Sequence, residues 1–197
     1  MLRRMLLLMI LVWIPLSACS KRQPPAAVAA VPDTAGAGAR RAAELERLRQ
    51  DSIARARAAE EEARLRGGAE ATARARAILE ETVHFDYDDS TLRADAQEAL
   101  GRKVPVLRAN PNVRIRIAGH ADERGSVEYN LALGMRRANA VRDYLSGFGI
   151  DAARFETTSM GEDMPLDPRG TEAAWALNRR AEFSIVAGGE MLLMPGS

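Results

Sequence analysis

The chain has 197 residues, and its 28 lysines and arginines nearly balance its 27 aspartates and glutamates, for a formal net charge of +1. This balance excludes the broad positive field with which proteins bind nucleic acids. Aromatic residues, at 5%, are too few for a base-stacking surface. The single cysteine excludes an internal disulfide framework and a four-thiolate metal site.

Residues 1–18 have the pattern of a secretory signal peptide. Two arginines precede a short apolar run, residues 5–14, which is shorter than the roughly 20 residues of a membrane-spanning helix. The small residues before Cys19 resemble the lipobox of bacterial lipoproteins. That resemblance implies cleavage before Cys19, its acylation by chains such as palmitate and, with Ser20 next, export to the outer membrane. The alternative is an ordinary signal peptide with an incidental cysteine.

Residues 19–80 are predicted to form a tether between that lipid anchor and a domain. Residues 21–39 are rich in Pro, Ala and Gly and bury too little apolar surface to fold. Residues 40–66 are mainly Ala, Glu and Arg with opposite charges three or four apart, which predicts a solvated helix. A coiled coil is the alternative, although its leucines are sparse. Gly67 and Gly68 are expected to break this helix before a shorter one over 69–80.

Residues 81–188 alternate strand and helix patterns in the order β-α-β-α-β-(α)-β. Runs of β-branched and aromatic residues predict strands over residues 82–85, 113–118, 155–160 and 180–186. Strands alternating with helices indicate an α/β fold, an α+β sandwich whose helices pack on one small sheet. Residues 189–197 are expected to form a frayed tail.

Two amphipathic helices are predicted between the first three strands. Asp89 or Ser90 is expected to cap the first, and Pro105 is expected to kink it or end it early. Thr171 is expected to cap a short third helix over 172–177. The second helix, from about residue 127, has apolar residues at spacings of four, three, three and four: Leu131, Met135, Ala138, Val141 and Leu145.

The candidate site is the loop of residues 119–125, Gly-His-Ala-Asp-Glu-Arg-Gly, between the second strand and the second helix. Asp122 in the loop and Arg137 in the helix are expected to face one cleft. Such a pair suits a ligand that carries both an ammonium and a carboxylate. Asp86 and Asp88, which follow the first strand, are expected to line the same cleft or to act only as turn and cap residues.

Several segments together resemble the OmpA-like C-terminal domain family, most closely its peptidoglycan-associated lipoproteins. They cover residues 82–187 in order, at residues 83–88, 117–125, 128–134, 136–141, 159–162 and 178–180. The resemblance implies a mixed sheet and non-covalent binding of peptidoglycan through the meso-diaminopimelate of its stem peptide. The aspartate matching Asp122 would hold the ammonium, and the arginine matching Arg137 would hold the carboxylate.

The same resemblance implies a periplasm-facing lipoprotein, without enzymatic activity or cofactor, that links the outer membrane to the cell wall. TolB and other Tol components would be its partners in cell division and envelope integrity. His120, Asn130 and Arg179 complete the expected peptidoglycan-binding set. His120 is expected to shape the loop through hydrogen bonds, and Arg179 to reach the ligand or form a structural pair.

Three alternatives remain at this stage. Asp122 is also suited to cap the loop, and Arg137 is also suited to pair with Asp122 inside the protein, a pairing compatible with ligand binding. The alternative function is a peptidoglycan hydrolase that uses His120, Asp122 and Glu123. Consecutive loop residues supply fixed metal geometry poorly, and no Ser or Cys nucleophile stands beside a base, so the binding role is preferred.

Overall fold

The computed structural model describes residues 34–196. The predicted signal peptide, the acylation site at Cys19 and the first part of the predicted tether lie outside the described residues. The chain divides into two units, Met1–Asp51 and Ser52–Ser197. In the described part of the first unit the chain is helical and its side chains are exposed almost throughout. No helix within residues 34–196 combines the length and apolar character needed to cross a bilayer.

The elements follow the predicted order. They are α1 (Thr34–Glu80), β1 (Val83–His84), α2 (Ala94–Ala109), β2 (Arg114–His120), α3 (Val127–Gly147), a 3₁₀ turn (Ala152–Arg154), β3 (Phe155–Gly161), α4 (Glu172–Asn178) and β4 (Arg180–Ala187). One sheet has the strand order β1-β4-β2-β3. Strand β2 pairs parallel with β3 and antiparallel with β4, and β4 pairs antiparallel with β1. The predicted fold, with helices on one small mixed sheet, is confirmed.

Helix α1 is continuous, whereas the sequence predicts a break at Gly67 and Gly68. Each glycine costs about 1 kcal/mol relative to alanine in a helix interior. The flanking Ala, Glu and Arg residues favour the helix, and i,i+4 pairs such as Glu62 with Arg66, 2.8 Å apart, add support. No atom approaches within 4 Å of a Cβ built on either glycine, so nothing forces a bend there.

The core extends past both predicted limits of the domain. Ala75 and Leu79 of α1 are fully buried, and Leu192 in the predicted tail is 1% exposed. The Thr72 hydroxyl donates to the Leu192 carbonyl and accepts the Leu192 N–H. The structure therefore differs from the expected frayed tail, because side chains distant in sequence hold this segment. The Asn110 side chain holds Leu193 in the same way. Its Oδ1 accepts the Leu193 N–H at 2.8 Å, and its Nδ2 donates to the Leu193 carbonyl at 2.9 Å.

Lys103 of α2 ties the end of α1 to the domain. Its buried ammonium donates to the carbonyls of Ile78, Leu79 and Glu81 at 2.7, 3.0 and 2.7 Å. It also lies 4.1 Å from the centre of the Phe183 ring. Burial lowers the pKa of Lys103 to about 7. In its protonated form Lys103 satisfies carbonyls left open at the helix C-terminus and complements the helix dipole.

Helix α2 differs from prediction at two positions. It runs through Pro105, where a kink or an early end is expected, because burial of neighbouring residues such as Leu107 outweighs one missing backbone hydrogen bond. Its N-cap is Arg93, which makes no side-chain cap bond. Asp89 instead accepts the N–H of Thr91 at 2.8 Å and closes the turn before the helix.

Helix α3 packs on the sheet through a partly different face than predicted. Ala138 and the apolar residues after it are buried as expected, but Leu131 and Met135 are 39% and 37% exposed. Gly134 instead approaches Gly119 of β2 so closely that a Cβ on Gly119 would lie 1.8 Å from the Gly134 carbonyl oxygen. Backbone contact replaces apolar side chains at this point and brings the start of α3 against the end of β2.

Candidate ligand-binding site

A cleft of about 120 Å³ lies where β2 ends and α3 begins. The Ser126 hydroxyl accepts the N–H of Tyr129 and starts α3 directly after the loop, as expected for an N-cap. The predicted residues Asp88, Asp122, Asn130 and Arg137 line the cleft, together with Tyr87, Arg124 and Tyr129. The structure therefore brings the expected carboxylate and guanidinium to one cleft.

Arg137 is fixed in this cleft by main-chain carbonyls. Its side chain is fully buried. The Nε, Nη1 and Nη2 atoms donate to the carbonyls of Asp89, His120 and Asp86 at 2.9, 2.7 and 2.9 Å. Of the five N–H donors of an arginine, these bonds use three and leave two that make no hydrogen bond among the described residues. Burial lowers the pKa of Arg137 to about 10, so it remains a cation at neutral pH.

Asp122 is also covered, at 4% exposure, and two arginines hold its carboxylate. Arg124 and Arg179 approach Oδ2 at 2.8 and 3.2 Å. Burial raises the pKa of Asp122, but hydrogen bonds from Arg124 and Arg179 outweigh burial and leave the pKa lowered. The internal partners of this carboxylate are thus Arg124 and Arg179 rather than Arg137.

Arg124 covers the carboxylate of Asp122 from the outer side of the cleft. Its guanidinium carbon lies 4.0 Å from the ring centre of Tyr87 and 4.1 Å from that of Trp175. Its Nη1 lies 3.2 Å from a carboxylate oxygen of Glu172. Sequence reasoning did not single out Arg124, although it belongs to the loop already chosen as the site.

Asn130 and Asp88 support the cleft in different ways. Asn130 is 1% exposed, and its Nδ2 donates to the Asp122 carbonyl at 3.0 Å and to the Glu162 carboxylate. It therefore positions the loop. Asp88 accepts from the Tyr129 hydroxyl across the mouth of the cleft, with a positive φ of 55°.

The other predicted residues do not turn their side chains into the cleft. The Asp86 carboxylate pairs with Arg93 at 3.3 Å, so Asp86 contributes only its carbonyl. Arg179 lies behind Asp122, where its Nε donates to the Phe85 carbonyl at 3.2 Å.

The His120 imidazole lines a separate pocket beside Met160. The expectation that its side chain shapes the loop through hydrogen bonds is wrong. Neither ring nitrogen has a hydrogen-bond partner among the described residues. The His120 carbonyl instead holds the loop, because it accepts a hydrogen bond from Arg137. The backbone path through β2 determines that the carbonyl of His120, and not its ring, faces Arg137. A sequence motif does not show this path.

The residues of the hydrolase alternative do not converge. His120 and Asp122 line different pockets, and the Glu123 carboxylate accepts the indole N–H of Trp175 at 3.1 Å. Within residues 34–196, no group of three or more His, Cys, Asp or Glu side chains is placed to hold a metal ion.

Comparison with known proteins identifies relatives for the part of the chain that carries the cleft. The OmpA family matches residues 84–179. The chain is 45% identical over 109 residues to the peptidoglycan-associated lipoprotein of Agrobacterium fabrum, covering 55% of this chain and 61% of the relative. It is 46% identical over 99 residues to that of Brucella melitensis, covering 50% and 59%. The chain thus spans about three fifths of the length of these relatives.

A solved structure has the same fold. The crystal structure of the peptidoglycan-associated lipoprotein from Burkholderia pseudomallei is 41% identical to this chain, with a TM-score of 0.52. The match covers 53% of this chain and 88% of that one.

Proposed function

The chain belongs to the OmpA family, and from that premise we propose that it is a peptidoglycan-associated lipoprotein that binds peptidoglycan without covalent attachment. In this proposal it ties the outer membrane to the cell wall and has no catalytic role. The names of the relatives support this class of function.

The observation that carries the proposal is the presence of Asp122 and Arg137 in one cleft. A diaminopimelate residue in a stem peptide offers an ammonium and a carboxylate together on the free end of its side chain. Asp122 is suited to accept from the ammonium, and the two free N–H groups of Arg137 are suited to donate to the carboxylate. A ligand with only one of these charges would leave part of this arrangement unused.

The guanidinium of Arg124 already pairs with the Asp122 carboxylate. The ligand ammonium therefore has to take its place at Oδ2, while Glu172 and the rings of Tyr87 and Trp175 retain the displaced guanidinium. Without ligand, Arg124 and Arg179 compensate the buried carboxylate, which avoids the cost of an unpaired buried charge.

The remaining parts of the proposal rest on the resemblance and on the relatives. Acylated Cys19 would anchor the protein in the outer membrane, with the domain in the periplasm. Recognition of diaminopimelate rather than another stem-peptide residue is likewise proposed. TolB and other Tol components would be partners during cell division.

The test is sedimentation with purified sacculi, comparing the wild type with Asp122→Asn. Losing the charge should weaken binding by about ten- to a hundredfold, because a hydrogen bond to a charged group contributes about 1.5–3 kcal/mol. Glu156→Gln is the matched control, since Glu156 is an exposed carboxylate of β3 paired with Arg116. Unchanged binding by a folded Asp122→Asn variant would defeat the proposal, as would the release of soluble muropeptides by the wild type.

A further inference from the structure

A second pocket, of about 330 Å³, lies on the other face of the sheet from the cleft. Gly119 faces α3, so the next residue of β2, His120, projects to the opposite face. We propose that this pocket binds the cationic end of a lysine or arginine side chain presented by a partner polypeptide.

The pocket contains a buried polar group that lacks a partner. The His120 side chain is 3% exposed, and neither ring nitrogen has a hydrogen bond within the described residues. Buried polar groups in proteins are almost always hydrogen-bonded, so an unpaired imidazole that lines a pocket points to a ligand. Burial first, and then Arg180, lowers the pKa of His120 to about 4, so the ring is neutral at neutral pH and one nitrogen is an acceptor.

The carboxylates around the pocket favour a cation, whereas at the His120 ring itself Arg180 has a larger effect than Glu182. Arg180 binds one carboxylate oxygen of Glu182 at 2.6 Å. The other oxygen lies 3.6 Å from His120 Nε2, beyond hydrogen-bond distance, and remains available. Asp163 adds an exposed carboxylate at the rim. Two carboxylates and one already paired guanidinium leave a negative charge, which an incoming ammonium or guanidinium would neutralise.

The apolar part of the pocket explains why the cation should carry an aliphatic stem. Met160, Met164 and Leu166 line the pocket, and the last two are 61% and 58% exposed. Lysine and arginine bury their methylene stems on such surfaces while the charged end stays with polar groups. Methionine adapts to the shape of its partner, and exposed apolar side chains at the rim suit the flanking residues of a polypeptide better than a free small amine.

The direct test is a titration of the purified protein with N-acetyl-L-lysine methylamide, followed by NMR of labelled methionine methyls and histidine ring nitrogens. We expect saturable shifts in the millimolar range at Met160, Met164 and His120. The methyl of Met191, after β4, lines a different pocket, serves as the internal control and should not shift. The norleucine analogue, which has the same stem without the charge, should bind much more weakly. Equal binding of the two probes, or no shift at His120, would overturn the inference.

Variants give an independent measurement. Asp163→Asn with Glu182→Gln should weaken lysine-probe binding by about tenfold, because both charged acceptors are lost. Glu156→Gln, the same change elsewhere on the sheet, should bind the probe like the wild type. Asp122→Asn should weaken sacculus binding by about ten- to a hundredfold and bind the probe like the wild type, which separates this inference from the proposed function. Retained probe binding in the double variant would contradict it.

Discussion

The two walls of the cleft are held in different ways. The wall formed by β2 and α3 depends on backbone: Gly119 contacts Gly134, and Arg137 donates to three main-chain carbonyls. The opposite wall depends on side chains, with Arg124 stacked on Trp175 and paired with carboxylates. We infer that the first wall is fixed before a ligand binds, whereas the proposed function requires the second wall to rearrange when a ligand enters.

The energies of the two walls should differ accordingly. Arg137 is fully buried, and a variant that lost its donors would leave the buried carbonyl of His120, and the carbonyls of Asp86 and Asp89, without this partner. Arg124 is 28% exposed, and pairs of this kind are partly screened by water and contribute little to stability. We infer that the fixed wall sets which ligand binds and that the movable wall admits it.

The largest effect should come from the backbone contact of the fixed wall. Gly119→Ala would place a Cβ 1.8 Å from the Gly134 carbonyl oxygen, and we expect the free energy of unfolding to fall by about 3 kcal/mol or more. Gly101→Ala in α2 is the control, because nothing lies within 4 Å of its added Cβ. That change should stabilise by about 1 kcal/mol or less. Equal urea midpoints for the two variants would show that the close approach does not constrain the fold.

The next test compares one charge-conserving substitution, arginine to lysine, in each of the two walls. Arg137→Lys keeps the cation but loses the planar fork that reaches three carbonyls. It should lower the free energy of unfolding by about 2–3 kcal/mol and abolish sacculus binding. Arg124→Lys should change stability by less than about 1 kcal/mol and retain binding, because the ligand ammonium takes the place of Arg124 on Asp122. Similar losses in both variants would remove the distinction between the walls.

The sequence contains enough to predict the fixed wall in outline. Periodicity gives the order of strands and helices, and the strand-loop-helix path places Asp122 and Arg137 on one cleft. The cap at Thr171 was also predictable, since its hydroxyl accepts the N–H of Ala174, three residues on. Each of these depends on residues close together in the chain.

Other features depend on contacts that no local pattern reports. Apolar spacing marks buried side chains, so it assigned Leu131 to the core and overlooked the contact of Gly134 with Gly119. Leu192 is buried because of Thr72, 120 residues earlier. The movable wall was missed for the same reason, since apart from Asp122 the partners of Arg124 are Tyr87, Glu172 and Trp175, from segments separated in sequence.

The smallest of these effects is a loss of stability at acidic pH. It distinguishes the two walls because their titratable groups change charge at different pH. The folded-state pKa of His120, about 4, lies below the ordinary value of 6.5, so the unfolded chain binds more protons between these values. Stability is therefore present above about pH 6.5 and is lost as pH falls toward about 4. From about pH 7 to about pH 5 this loss should be about 2 kcal/mol.

His120→Asn should flatten this slope, measured by urea unfolding across the pH range. Asp122 does not contribute in that window, because its pKa is lowered below the ordinary carboxyl value and its stabilisation is lost only at more acidic pH. His84→Gln is the control: burial and Arg93 also lower the pKa of His84, but it is only half-buried and should remove less of the slope. If His120→Asn retained the full dependence of stability on pH, the buried imidazole would not be the cause of the acid sensitivity of the fixed wall. The bond from Arg137 to the His120 carbonyl would then be independent of the ring behind it.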